Sequence, residues 1–146
     1  MGKKSFFDEV SIGEKLPDLR RGPITQGDIT KHATSNLDYN PIHVDPIWCK
    51  EVNYLDKGTT IAHGMMTMGI MGTLLANWAY PHGGMIKNLQ TKFITPVRPN
   101  DTLTIRGEVV SKHFREEGKS FVVVEITVEN QRGETVSAGI GEVIFP

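Results

Sequence analysis

Residues 64–79 read GMMTMGIMGTLLANWA, and they lie inside a longer stretch, residues 58–86, that contains no Asp, Glu, Lys or Arg. A stretch of this length without charge has to be tested as a membrane span. Polar side chains interrupt it and glycines weaken it as an isolated helix in lipid; they are His63, Thr67, Thr73, Asn77 and His82, with Gly64, Gly69 and Gly72. We therefore predict no membrane span, but a helix over Gly64–Ala79 that is buried on most of its circumference.

After this helix the hydrophobic pattern changes to a period of two. Residues 103–109 alternate apolar with polar side chains, and the apolar residues of 122–128 share one face, as in half-buried strands. Residues 87–95 and 135–145 alternate less cleanly, and we predict two more strands there that are more deeply buried. Turn residues separate the four segments, at Pro99-Asn100-Asp101, Glu117-Gly118 and Arg132-Gly133. The pattern predicts an antiparallel meander of four strands.

Two helix-start signals precede the apolar helix. Thr25 followed by Asp28 predicts a short helix that runs to about Ala33. Asp45 followed by Pro46 predicts a second, with Asp45 as N-cap, running towards Tyr54. Helices first and strands afterwards favour an α+β fold in which the sheet covers a single buried helix. The 146 residues suffice for one domain, which we expect to span residues 1–146.

The composition argues against several classes of protein. A net charge of −1 provides no basic field for a nucleic-acid backbone, so we expect no nucleic-acid partner. The single cysteine, Cys49, cannot form an intrachain disulfide, and no export signal is visible at the start of the sequence. We therefore expect a cytoplasmic protein.

Because no base lies near Cys49 in sequence, we predict that Cys49 is a small buried residue and not a nucleophile.

Two clusters contain groups able to move protons or to bind an oxyanion. Asp38 and His43 are five residues apart in a predicted loop stiffened by Pro41, and together they could act as general acid and base on one water. The alternative is that Asp38 caps a turn and His43 packs. Gly64 begins the predicted helix, where unpaired amides attract negative charge, so its amide is an oxyanion-hole candidate. A tight entry to the helix is the alternative for Gly64.

The sequence also contains residue types that bind metal ions in other proteins. Five histidines and Asp45 offer ligands, but none falls in a recognised zinc spacing, and one cysteine supplies no thiolate cluster. We therefore predict no metal site.

Residues 38–43, DYNPIH, resemble the hydratase motif D-x-N-P-x-H of the MaoC-like dehydratases, also called R-specific enoyl-CoA hydratases. The similarity continues through IAHGM at 61–65, FITPV at 93–97 and PND at 99–101, and it covers about residues 13–145. The resemblance implies a hot-dog fold, in which a curved antiparallel sheet wraps around one long central helix.

The resemblance also implies an activity and an active site. The reaction is the reversible addition of water to a trans-2-enoyl thioester, which gives an (R)-3-hydroxyacyl thioester. By position, Asp38 and His43 would be the catalytic pair and the Gly64 amide would hold the thioester oxygen, with Asn40 and His63 in support. No separate cofactor is implied, because coenzyme A or acyl carrier protein is part of the acyl-thioester substrate. Family members form homodimers or larger homo-oligomers, and some form heteromers.

Two alternatives and two departures from the family pattern accompany this interpretation. The chain could be the catalytic subunit of a heteromeric dehydratase, or a hot-dog acyl-CoA thioesterase; the thioesterases normally use a carboxylate on the central helix, and residues 64–79 contain none. Asn36-Leu37 precedes Asp38 where many members have a pair such as Ser-Gly, and Gly72 stands where some have a serine that touches the catalytic carboxylate. Candidate cations for the carrier's phosphates are Lys87, Lys92 and Arg98, with solvated surface as the alternative.

Overall fold

The computed structural model describes residues 5–53, 55, 57–116 and 120–145. The helices are α1 Phe6–Glu9, α2 Gln26–Asn36, α3 Pro41–Val44, α4 Pro46–Val52 and α5 Gly64–Ala79, which a 3₁₀ turn at Tyr80–His82 follows. The strands are β1 Leu19–Arg21, β2 Met85–Phe93, β3 Leu103–His113, β4 Phe121–Asn130 and β5 Thr135–Ile144. The predicted apolar helix is therefore confirmed at both ends. Among the described residues, no helix has the length and apolarity needed to cross a bilayer.

The five strands of the described residues form one antiparallel sheet, in the order β1-β3-β4-β5-β2, and α5 packs against β2, β3 and β5. Register shifts between Ile86 and Asn88 and between Val109 and Ser111 mark bulges, which bend a sheet. The buried core joins Met71, Leu74 and Leu75 of the helix to alternating residues of β3 and β4. The curved sheet around one helix confirms the predicted fold class.

Two glycines of β5 let the helix approach the sheet. A Cβ at Gly141 would overlap Leu75 Cδ1, and a Cβ at Gly139 would overlap the Gln90 carbonyl oxygen on β2 and come within 2.9 Å of Met71 Cε. A side chain at Gly139 would force β2 and β5 apart, and a side chain at Gly141 would displace the Leu75 side chain, so the two glycines allow close packing between the strands and against the helix.

The order of the strands in the sheet differs from the predicted meander. Strands β3, β4 and β5 follow one another as predicted, but β2 pairs with β5 at the far side of the sheet, and β1 was not predicted. The expectation that residues 87–95 are deeply buried is wrong, because β2 is an edge strand without a fully buried residue. The register shift between Ile86 and Asn88 interrupts the alternation of β2, because a bulge changes which face the following side chains occupy.

The helices before α5 are also only partly as predicted. Thr25 caps α2 through the Asp28 amide, as expected, but α2 continues past Ala33 to Asn36. Asp45 caps α4 by accepting from two amides, also as expected. The helices α1 and α3 were not predicted, and Tyr54 and the turn at Glu117-Gly118 lie outside the described residues.

Cys49 is fully buried in α4, as predicted. Burial, together with the Asp45 carboxylate, raises the pKa of the Cys49 thiol. Because the thiolate is the nucleophilic form, Cys49 is poorly suited to attack a substrate.

Leu37 ends α2 in the left-handed conformation, with φ 56° and ψ 29°, and its side chain is 79% exposed. This conformation costs a residue other than glycine about 1–2 kcal/mol.

We predict that Leu37→Gly raises the free energy of unfolding by about 0.5–1 kcal/mol. The strain energy that glycine removes from the folded state exceeds the free energy that its greater conformational entropy adds to the unfolded state. Urea titration measures the change. Leu37→Ala, which keeps the strain, should bring no gain, and an equal gain in both variants would contradict the explanation.

Asp101 connects two turns of the sheet. Its buried carboxylate accepts hydrogen bonds from the Arg98 amide at 2.9 Å, Gln131 Nε2 at 2.9 Å and Arg132 Nη1 at 2.7 Å. Burial alone would raise its pKa, but the bonds from Arg132, Arg98 and Gln131 outweigh burial and hold the pKa of Asp101 below its ordinary value. The ionised carboxylate therefore stabilises the folded state.

We predict that Asp101→Asn lowers the free energy of unfolding at pH 7 by about 2 kcal/mol, because it weakens charge-assisted hydrogen bonds at a buried site. A lowered pKa in the folded state means that this stabilisation is complete above the unfolded-state pKa and is lost as the pH falls through the folded-state pKa. The difference between the wild type and the variant should therefore shrink below about pH 4. Urea titrations from pH 7 to pH 3 measure it. Asp18→Asn, which breaks an exposed pair with Arg106, is the control and should change stability by no more than about 0.5 kcal/mol at any of these pH values.

Candidate active site

Asp38 lies in the short loop between α2 and α3, and its side chain is 52% exposed. Its amide donates to the Ala33 carbonyl at 3.1 Å, which ties it to the end of α2. The Asn40 amide donates to Asp38 Oδ1 at 3.3 Å, and Asn40 Oδ1 accepts from the Ile42 amide at 3.2 Å to cap α3. Asn40 thus holds the carboxylate and begins the helix that carries His43.

His43 stands on the single turn of α3, whereas the sequence predicted a loop at this position. Its Nδ1 lies 2.8 Å from the Ile61 carbonyl oxygen. Because a carbonyl only accepts, Nδ1 carries the hydrogen and the lone pair of the neutral ring is on Nε2. His43 Nε2 lies 3.9 Å from Asp38 Oδ2, so the two basic atoms of the predicted pair face each other.

His63 is the residue just before α5, and its side chain is only 3% exposed. Its Nε2 donates to the Asp38 carbonyl oxygen at 3.0 Å, and its ring stacks on His43 with ring centroids 3.7 Å apart. His63 Nδ1 is buried without a hydrogen-bond partner among the described residues. This imidazole therefore contacts both members of the predicted catalytic pair.

His32 on α2 also belongs to this cluster, and sequence analysis did not select it. Its ring centroid lies 4.9 Å from that of His63. Burial, followed by the nearby imidazoles of His63 and His43, lowers the pKa of His32. A signal was available, because His32 and Asn36 lie four residues apart and so share one face of α2, the helix that leads directly into the loop of Asp38.

Gly64 is the first residue of α5 and lies directly beside this cluster. The first amides of a helix have no acceptor within the helix, and they lie at the positive end of its dipole. A Cβ at Gly64 would come within 2.9 Å of the Phe93 ring, so only glycine admits the ring this close to the backbone. The Gly64 amide is therefore placed to receive a developing negative charge.

Two cavities meet at this point. An open cavity of about 510 Å³ is lined by the polar residues His32, Asn36, Asp38, His43 and His63, together with Gly64 and Met65. A smaller, mostly apolar cavity of about 280 Å³ is lined by residues that include Ile61, Thr67, Phe93, Thr95, Pro96 and Ser137. His43 and Gly64 line both cavities. A ligand that extends through both would pass the imidazole and the helix amide at the junction.

Asp38, His43 and His63 also offer three ligand atoms within 4.8 Å of one another, as a metal site does. His63 Nε2 would first have to release its hydrogen bond to the Asp38 carbonyl. The sequence-based expectation of no metal site stays a prediction.

Comparison with known proteins agrees with this description. The sequence profile of the MaoC like domain matches residues 8–131. The chain is 29% identical over 113 residues to an (R)-specific enoyl-CoA hydratase of Rhodospirillum rubrum, which covers 75% of each protein. It is 33% identical over 110 residues to the peroxisomal hydratase-dehydrogenase-epimerase of Saccharomyces cerevisiae, which covers 73% of this chain but only 11% of that protein.

A solved structure extends the similarity to the fold. The unliganded R-hydratase of Pseudomonas aeruginosa superposes with a TM-score of 0.81 at 25% identity, which covers 96% of this chain and 84% of that one. The hot-dog architecture expected from the sequence is thereby confirmed. With its profile match across most of the sequence, the chain belongs to the MaoC-like domain family.

Proposed function

We propose that this chain catalyses the reversible hydration of trans-2-enoyl thioesters, with enoyl-CoA as the first substrate to test, to (R)-3-hydroxyacyl thioesters. The observation that carries the proposal is the junction of the two cavities, where His43 Nε2 faces Asp38 Oδ2 at 3.9 Å beside the Gly64 amide. In the reaction the water oxygen bonds to C3, and a proton is added at C2. The relative from R. rubrum is named for this activity, and the R configuration rests on that similarity.

The chemistry makes two demands that the site can meet. Negative charge develops on the thioester oxygen as the water oxygen reaches C3, and an unpaired amide at a helix N-terminus stabilises such charge. Water must also lose a proton while C2 gains one, and two basic groups that share one water can carry out both transfers. The hydrogen bond from His43 Nδ1 to the Ile61 carbonyl stabilises the imidazolium when Nε2 is protonated.

Neither step consumes an oxidant, a reductant or an activating group, so the proposal requires no separate cofactor. The acyl carrier is part of the substrate. A thioesterase is less well supported, because α5 contains no Asp or Glu to act on a thioester from the central helix. We also propose that the protein works in the reducing cytoplasm, in keeping with its single buried cysteine.

We predict that Asp38→Asn and His43→Gln each lower kcat/KM for hydration of crotonyl-CoA by about 10²–10⁴-fold, since each removes a proton-transfer group. Loss of the enoyl-thioester absorbance measures the rate. Asp18→Asn and His113→Gln make the same chemical changes away from the cluster and should keep wild-type activity. A folded wild type without activity, or catalytic-pair variants with wild-type rates, would contradict the proposal.

We further propose that the chain assembles through β2 into a homodimer or a larger homo-oligomer. In the part of the chain that the structure describes, β2 pairs with β5 on one side only, so its other edge is available to a second strand. Met85 and Phe93, at the two ends of β2, and Ile94, just after it, have exposed apolar side chains. Because Phe93 also covers Gly64, a second chain on β2 would lie beside the site. Assembly with a different hot-dog chain is the alternative.

We predict that light scattering gives a mass of at least two chains and that Met85→Lys shifts it towards one chain, because a charge is unfavourable in a buried edge-to-edge contact. Val110→Lys replaces an exposed apolar residue of β3 and should leave the mass unchanged. A monomeric and fully active wild type would contradict the assembly. A monomer that gains activity only with a second hot-dog chain would favour the heteromer.

A further inference from the structure

A third cavity, of about 460 Å³, continues beyond the apolar one. It is lined by Lys57, Thr95, Pro96, Arg98, Arg132 and Glu134, beside Leu55. Thr95 and Pro96 line the apolar cavity as well. Residues 93–97 line the apolar cavity next to Gly64, and Thr95, Pro96 and Arg98 line the third cavity. The two cavities therefore follow each other along one segment of chain.

The positive charges of this cavity differ in how they are compensated. Arg132 pairs with Asp101 at 2.7 Å and with Glu134 at 2.8 Å. Arg98 has neutral partners instead, with Nη1 donating to Thr59 Oγ1 at 2.7 Å and Nη2 to the Leu55 carbonyl at 3.3 Å. Among the described residues, no carboxylate forms an ion pair with Arg98 or Lys57. Within the described ranges, Arg98 and Lys57 are thus the two cations of this cavity that form no ion pair, although Lys57 also attracts the Glu134 carboxylate that lines the same cavity.

The position of Arg98 is fixed from two sides. Its amide donates to Asp101 Oδ2, and its guanidinium is held by Thr59 and the Leu55 carbonyl. Two of the five guanidinium N–H groups are used by these contacts, so others are available to an anion. Of the three cations that sequence analysis named, Arg98 alone lines this cavity, and Lys87 pairs with Glu142 at 3.3 Å.

We infer that Arg98, assisted by Lys57, binds the phosphate at the end of the phosphopantetheine arm of the acyl-thioester substrate. The inference rests on the proposed function, which places the thioester at His43 and Gly64. The arm then runs along residues 93–98, where the buried hydroxyls of Thr67 and Ser137 face a mostly apolar passage. An arm of methylenes and amides that ends in a phosphate matches a passage that ends in cations. Coenzyme A and acyl carrier protein both carry this arm.

Three crotonyl thioesters separate this role from others: crotonyl-CoA, crotonyl-4′-phosphopantetheine and crotonyl-pantetheine, which has no phosphate. For Arg98→Gln we expect kcat/KM to fall about tenfold on both phosphorylated substrates, through KM and not kcat, and to stay unchanged on crotonyl-pantetheine. Arg98→Lys should recover part of the loss. Arg20→Gln, on the exposed strand β1 at the opposite edge of the sheet, removes the same charge and should change nothing.

Other patterns of activity overturn the inference. An equal loss on all three substrates means that Arg98 only maintains the fold, and thermal unfolding of each variant checks this. A loss confined to crotonyl-CoA assigns Arg98 to the nucleotide half of that carrier. No loss on any substrate means that Arg98 contacts no phosphate.

A binding experiment keeps the inference separate from the proposed function. Calorimetric titration with 4′-phosphopantetheine and with pantetheine requires no turnover. Tighter binding of the phosphorylated compound by the wild type, lost in Arg98→Gln, supports the phosphate site even if no substrate is hydrated, in which case the proposed function alone fails. Equal binding of the two compounds by the wild type overturns the phosphate site even if hydration is observed.

Discussion

The short segment Ile61–Gly64, which leads into the central helix, holds the candidate site together through backbone hydrogen bonds. The Ile61 carbonyl accepts from His43 Nδ1, and the Ile61 amide donates to the Ile42 carbonyl at 3.1 Å. His63 donates to the Asp38 carbonyl, and Gly64 supplies the first amide of α5. One stretch of four residues thus contacts both members of the proposed catalytic pair and carries the amide that we propose binds the thioester oxygen.

The position of this segment depends in turn on the burial of α5. Gly141 of β5 leaves room for the Leu75 side chain of the helix against the sheet, and the Ala62 amide before the helix donates to the Val97 carbonyl at 2.8 Å. The apolar sequence that makes the helix a core element therefore also orients its N-terminus. A helix dipole acts over about its first turn, so a displaced N-terminus would lose its effect on a substrate oxygen.

Sequence alone predicted the features that depend on local patterns. An apolar run with clear ends predicted the limits of α5, and alternation predicted the strands β3 and β4. The neighbouring Pro46 indicated that Asp45 caps a helix. Prediction from sequence failed for the features that depend on residues distant in sequence. Alternation reports which residues are buried but not which strands pair, so the position of β2 beside β5 was missed. The motif identified Asp38 and His43, whereas the contacts of His63 and His32 arise only when α2 meets the start of α5.

The structure explains one of the two departures from the family pattern, the one at Leu37. Leu37 takes the left-handed conformation that a glycine would adopt with less strain, so the chain still turns from α2 towards Asp38. A Cβ at Gly72 would lie 3.8 Å from Leu89 Cδ2, an ordinary contact, so crowding does not require glycine there.

Support for the Asp38 carboxylate comes instead from its own loop, through the Asn40 amide, while His63 holds the adjacent carbonyl. The position of the carboxylate therefore depends on the backbone of residues 37–40, and the distance between the Asp38 and His43 side chains follows from how that loop folds onto His63.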